Sequence, residues 1–116
     1  MQRFMLRSKI HRATLTGTDL DYEGSIAIDR TLMDAADMLP GEQVHVLNLN
    51  NGERLITYVI EAPAGTGTML LNGPAARLGL RGDVVVVLAY CEVSDEEARK
   101  LKSKVVLVDA KNRIVS

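Results

Sequence analysis

The chain has no tryptophan, one phenylalanine and one cysteine among its 116 residues. A single cysteine, Cys91, excludes an internal disulfide. With two histidines and no Cys-x-x-Cys pair, a structural metal site is not expected. No stretch approaches the ~20 apolar residues of a membrane span. Met1 to Arg12 carries Arg3, Arg7, Lys9 and Arg12 with no long apolar run, so it does not read as a secretory signal. An excess of one charge sign is also missing: 14 Lys and Arg stand against 15 Asp and Glu, for a net charge of −1. There is thus no global field to draw nucleic acid or an anionic membrane. The expectation is one cytoplasmic domain, because 47% hydrophobic and 25% charged residues are an ordinary globular balance. A core this poor in aromatics has to be filled by Val, Leu, Ile, Met and Ala. Apolar surface left over would suit subunit contacts.

Periodicity predicts a mostly β chain. Residues 2–11 alternate, with Phe4, Leu6 and Ile10 on one parity and Arg3, Arg7, Lys9 and His11 on the other. That is a strand with an apolar and a basic face. Thr16-Gly17-Thr18 reads as a turn and Asp19 to Glu23 as an irregular link. Ser25 to Ile28 reads as a short strand, and Asp29 as the cap of a helix over 30–38 that Pro40-Gly41 stops. Val44 to Leu49 and Leu55 to Ile60 form a hairpin around Asn50-Asn51-Gly52. Thr68 to Leu71 is a strand, and Asn72-Gly73-Pro74 opens one helical turn. Val84 to Tyr90 is a continuous apolar run, typical of a strand buried on both faces. Ser94 and Glu97 make a capping box for a helix to about Leu101. Val105 to Val108 and Arg113 to Val115 read as final strands. Short strands with regular turn signals suggest a small barrel, and there is no repeat or linker.

The pattern with the most chemistry is Tyr22-Glu23-Gly24-Ser25. A serine directly after a glycine is arranged for backbone self-cleavage. The Ser25 hydroxyl attacks the Gly24 carbonyl carbon, which no Cβ shields, and glycine tolerates the backbone angles required. The N→O acyl shift gives an ester, elimination leaves dehydroalanine, and hydrolysis leaves a pyruvoyl group at the new amino terminus. The products are chains 1–24 and 25–116. Gly-Ser on its own is common in turns, so the neighbouring residues decide.

Those neighbours are Met5-Leu6 with Lys9-Ile10-His11-Arg12, Asp19-Leu20, Ala27-Ile28-Asp29, Asp34-Ala35-Ala36, Asn51-Gly52, Arg54, Thr57-Tyr58, Asn72-Gly73 before Ala75-Ala76, and Asp95-Glu96-Glu97-Ala98. In order and spacing the chain resembles the pyruvoyl-dependent aspartate 1-decarboxylases of pantothenate biosynthesis, over roughly residues 1–110. The resemblance implies a six-stranded double-psi β-barrel with short helices, assembled as a homotetramer. It implies decarboxylation of L-aspartate to β-alanine through a Schiff base on a pyruvoyl group derived from Ser25, without a metal.

It also implies roles. Gly24 supplies the scissile carbonyl, and Thr57 supports its oxygen as charge builds during cleavage. Tyr58 donates the proton after carbon dioxide leaves. Arg54 holds the remaining carboxylate, with Lys9 as a second cation. The turn Asn72-Gly73-Pro74-Ala75 borders the substrate, while His11 and Tyr22 support the site. Position 74 is proline where the family pattern has alanine, so it offers no N–H. Asp21, Ile26 and Leu47 also depart from that pattern, and an acidic Asp21 beside the scissile bond leaves unaided cleavage unassured. No motif identifies a maturation factor.

On the residues alone, each of these groups also has an ordinary reading as solvated charge, strand-former or turn. Adjacent strand residues point to opposite faces. Thr57 and Tyr58 therefore enter one pocket only if a bulge re-aims one of them; otherwise they serve different sites in an oligomer. Arg54, Ile56 and Tyr58 share a parity. Active sites at subunit interfaces are the expectation. Two rivals stand beside the enzyme reading. Leu32 to Val46 also resembles swapped-hairpin DNA-binding proteins of the AbrB type, with the early cations as the patch. An uncleaved, inactive barrel serving as a structural subunit is the other.

Overall fold

A computed structural model describes residues 1–116. Eight strands form one sheet: β1 (Gln2–Thr14), β2 (Gly17–Asp19), β3 (Ser25–Asp29), β4 (Gln43–Asn48), β5 (Arg54–Ala62), β6 (Met69–Asn72), β7 (Val84–Ser94) and β8 (Lys104–Leu107). Their lateral order is β2-β6-β3-β5-β4-β7-β1-β8. Helices α1 (Arg30–Ala36) and α2 (Asp95–Lys100) and a 3₁₀ helix (Gly73–Leu78) connect them. Eight strands replace the six expected, and the two at the ends of the order, β2 and β8, are short. Gly17–Asp19 is not a turn. It pairs in parallel with β6, from Gly17 opposite Leu70 to Asp19 opposite Asn72. The expected strand at 113–115 reduces to a single bridge between Val108 and Ile114.

The core matches the scarcity of aromatics. Ile, Val, Leu, Met and Ala fill it, with Ile10, Ile26, Ile28, Val44, Val46, Val59, Met69, Val85 and Val87 wholly buried. All four aromatics lie at the surface: Phe4, Tyr22, Tyr58 and Tyr90. β7 is buried from Val85 to Ala89, as a run without alternation requires.

Phe4 departs from the expected pattern: it shares the parity of Ile10 yet is 79% exposed. The pairing of β1 with β7 explains this. Leu6 opposes Tyr90, but Ser8 opposes Ala89, so one extra residue is inserted at Arg7. A bulge of this kind moves everything before it to the other face. A second irregularity lies between Ile10 and Ala13, where Arg12 takes a left-handed φ of 64°.

Helix α1 also ends sooner than expected. Asp37 adopts a left-handed φ of 55° and closes the helix after Ala36, three residues ahead of Pro40. Its start is as expected, and the cap does more than cap. Asp29 is 2% exposed. Its carboxylate accepts from Thr31 N at 2.8 Å, Gly65 N at 3.0 Å and Gly67 N at 2.8 Å. Burial alone pushes this carboxyl up, but the backbone donors outweigh it and hold the group below the usual range. An Asp29→Asn change turns an amide N–H toward at least one of these donors. The expected loss is about 2–4 kcal/mol at neutral pH. Because the folded pKa is depressed, this stabilisation is present above the ordinary carboxylate value and is lost as pH falls through the folded one. Melts of both proteins should therefore differ most at neutral pH and converge in acid.

A candidate active site at the Gly24–Ser25 junction

Ser25 opens β3 and Asn72 ends β6, and antiparallel pairing sets them opposite each other. Ser25 is wholly buried. Its hydroxyl donates to the Glu23 carbonyl at 3.0 Å, and its Oγ accepts from Asn72 Nδ2 at 3.0 Å. No charged side chain bonds to it. The Ser25 hydroxyl is thus held by a backbone carbonyl from beyond the Gly24–Ser25 peptide bond and by an amide on the neighbouring strand.

Gly24 is fixed by a backbone crossing. Gly73 has φ +63°, and a Cβ there would lie 2.7 Å from both Gly24 Cα and Gly24 N and 2.8 Å from Tyr22 O. Only glycine permits that approach at that φ. From the other side, a Cβ on Gly24 would meet Pro74 Cδ at 3.3 Å. The proline, which stands where the family pattern has alanine, therefore packs its ring on Gly24.

A cleft of about 390 Å³ borders this junction, lined among others by Gly24, Thr57, Tyr58, Pro74, Ala75 and Leu78. It runs along an open edge of β5. The parallel pairing of β3 with β5 begins at Ile26 opposite Val59, so residues 54–58 have β4 on one side and no strand on the other. Continued two residues back, the register puts Gly24 beside Thr57. Strand β5 pairs with β4 without a register break from Leu55 to Tyr58. Leu55, Thr57 and Val59 take the inward parity, with Ile56 and Tyr58 outward. Thr57 and Tyr58 nevertheless both line the cleft, because an unpaired edge exposes both faces of the strand. The expectation that a regular strand keeps them from one pocket fails for that reason. Thr57 makes no hydrogen bond to Gly24.

The cations lie elsewhere. Lys9 opposes Leu88, which opposes His45, which opposes Ile56. Lys9, Arg54 and Tyr58 thus share the outer face of the β1-β7-β4-β5 sheet, away from the buried Ser25. Arg54 Nη1 lies 3.2 Å from His45 Nδ1, and Lys9 makes no ion pair. Two of the other early cations are engaged: Arg3 bonds Asp95 at 2.6 Å, and Arg7 pairs with Glu42 and Asp37. Two of the four cations on which the DNA-binding reading rested are therefore neutralised. His11 lines a separate cleft of about 450 Å³ with Arg12, Leu107 and Asp109, and its buried Nδ1 has no partner. Tyr22 is 54% exposed and touches the junction through its backbone.

Two features escaped the sequence reading. His45 beside Arg54 was legible in principle, since the Asn51-Gly52 hairpin fixes the register that puts Leu47 opposite Arg54 and His45 two pairs further, on the same face. Asn48 and Asn51 had no such signal. They donate to the Leu78 carbonyl at 3.2 and 3.0 Å, tying the far end of the 3₁₀ helix to the β4–β5 turn. That tie fixes the Pro74-Ala75 wall relative to the Thr57-Tyr58 wall.

The structure holds no group of three or more His, Cys, Asp or Glu placed to share a metal ion, and no helix long and apolar enough to cross a membrane. The aspartate decarboxylase family model matches residues 1–115. Similar proteins include an aspartate 1-decarboxylase of Acaryochloris marina, 56% identical over 99% of this chain and 88% of that protein. Another, from Thermoanaerobacter pseudethanolicus, is 53% identical over 100% and 99%. Aspartate 1-decarboxylase 2 of Gloeobacter violaceus is 57% identical over 100% and 93%. With a family model that matches nearly the whole chain and relatives at 53–57% identity over 99% or more of it, the chain belongs to the aspartate decarboxylase family.

Proposed function

We propose that this protein decarboxylates L-aspartate to β-alanine after cutting itself between Gly24 and Ser25. The observation that carries the reading is the buried Ser25 hydroxyl, held by Asn72 and the Glu23 carbonyl, next to a Gly24 pinned by Gly73. The residues present fit a pyruvoyl group at position 25, because its precursor serine already sits behind a glycine carbonyl at a cleft. That group supplies an electrophilic carbonyl that condenses with the substrate amine and draws off the electron pair as carbon dioxide departs.

The chain's own residues do the rest. Thr57, beside Gly24 in the strand register, donates its hydroxyl to the Gly24 oxygen as negative charge builds during cleavage. Arg54 forks onto the carboxylate that remains, and Lys9 adds a second positive charge. Tyr58 returns a proton to the carbon that has lost its carboxyl group. Asn72, Gly73 and Ala75 border the substrate, while Pro74 gives ring surface in place of an N–H. His11 and Tyr22 support the surrounding walls.

Assembly follows from the same placement. Lys9 and Arg54 lie on an outer face, with Ile56 59% and Tyr58 36% exposed there, whereas Ser25 is inside. We place the complete site between subunits of a homotetramer, each chain closed as a double-psi barrel. The mixture of parallel and antiparallel pairs supports that closure. A fully active monomer contradicts the shared site.

The test is conversion of L-aspartate to β-alanine, with L-glutamate as comparison. A site that fixes both carboxylates disfavours the longer acid, and equal turnover of the two contradicts the roles of Arg54 and Lys9. Thr57→Val keeps the shape of the strand and removes the hydroxyl. Cleavage should slow about a hundredfold, the scale of losing one oxyanion donor, as read by the mass of the intact chain over time.

A further inference from the structure

Arg54 is exposed on β5, and a long exposed guanidinium samples many rotamers. One contact restricts it: His45 Nδ1, at 3.2 Å from Nη1. Arginine is always a donor. This contact therefore requires Nδ1 to be unprotonated, with the imidazole neutral and its proton on Nε2. The ring is itself held. It is half-buried on β4, and Tyr90 meets it edge-on, with centroids 4.9 Å apart and planes at 67°.

The charged and titratable groups around His45 come from three strands. Strand β5 brings Arg54 and Tyr58, the diagonal neighbours on either side of Ile56, which opposes His45. Strand β7 brings Tyr90, with Cys91 and Glu92, to the same outer cleft of about 420 Å³. Strand β1 brings Phe4 to that cleft, and Lys9 two strands away across Leu88. On β4 itself Gln43 is uncharged. A proton on Nδ1 removes the acceptor and sets a second positive charge against the guanidinium.

We infer that His45 is a positioning residue, which aims Arg54 at the substrate carboxylate by accepting a hydrogen bond from its guanidinium at Nδ1. This rests on the decarboxylase reading for its kinetic consequence, though not for the contact. Asparagine places its amide oxygen near where Nδ1 lies and does not titrate, whereas phenylalanine keeps the ring and loses the acceptor.

His45→Phe should raise KM for aspartate about five- to tenfold, the scale of a lost charge-assisted bond at a partly exposed site, with kcat within about twofold. His45→Asn should restore KM to within about twofold. Equal damage by both changes or a loss confined to kcat overturns the assignment. A second measurement needs no turnover. With the ring neutral, ¹⁵N NMR of the parent protein and of Arg54→Leu compares the His45 Nδ1 resonance. It should move while that of His11 stays. An unmoved His45 resonance removes the contact even if aspartate is decarboxylated. A moved one keeps it even if aspartate is not the substrate.

Discussion

Ser25→Ala should leave the chain in one piece and without decarboxylase activity. The reason is chemical. Cleavage needs an oxygen that attacks the Gly24 carbonyl and then departs from its β-carbon, and alanine has none. No neighbour replaces it, since the Oγ partners are only the Glu23 carbonyl and the Asn72 amide. The loss of turnover should reach at least about a thousandfold, as for deletion of other catalytic nucleophiles. The fold should survive. The change leaves Asn72 Nδ2 short of one acceptor, at about 1–3 kcal/mol, inside a core of Ile, Val and Leu that it does not touch. A single full-length mass with no β-alanine formed is the expected result. Decarboxylation by the folded variant would remove Ser25 from the mechanism.

Gly73→Ala is the second large effect, and it acts through the backbone. At φ +63° an alanine is strained by about 1 kcal/mol. Its Cβ would also sit 2.7 Å from Gly24 Cα and N and 2.8 Å from Tyr22 O. These are main-chain atoms that cannot swing aside, so the 22–24 segment has to shift. Together the expected destabilisation is about 2–4 kcal/mol. The shift also moves the Gly24 carbonyl relative to Ser25 Oγ, and a displacement near 1 Å costs about a hundredfold in rate. Urea melts and a time course of cleavage read the two effects separately. Parental stability and parental cleavage in this variant would mean that the crossing does not set the junction.

Much of this arrangement was legible in the sequence, and the limits have physical causes. The hairpin at Asn50-Asn51-Gly52, the Asp29 cap, the Ser94-Glu97 capping box and the buried β7 all followed from local chemistry: side-chain acceptors, a glycine at positive φ, an unbroken apolar run. Phe4 was misplaced because a bulge at Arg7 depends on how β1 pairs with β7, which no residue of β1 announces. Strand β2 was read as a turn because Gly17 between two threonines has turn chemistry. Its strand character comes from Leu70 to Asn72 alongside. Asp37 ended α1 before Pro40 because aspartate takes a left-handed angle when its N–H finds a helix carbonyl, a choice that sequence leaves open. At the site, Gly24-Ser25 stood out, since that chemistry is local to a dipeptide. The partners of Ser25 and Gly24 did not, since Asn72 and Gly73 reach them from 47 and about 50 residues away by strand pairing. His45 stayed hidden for the same reason: its meaning lies in Arg54 across the hairpin.

The most direct test of the central claim is the intact mass of the purified protein. The account predicts two species: residues 1–24 ending at Gly24, and residues 25–116 lighter by one ammonia than a chain beginning with serine. A single full-length mass under conditions where aspartate is decarboxylated would contradict it.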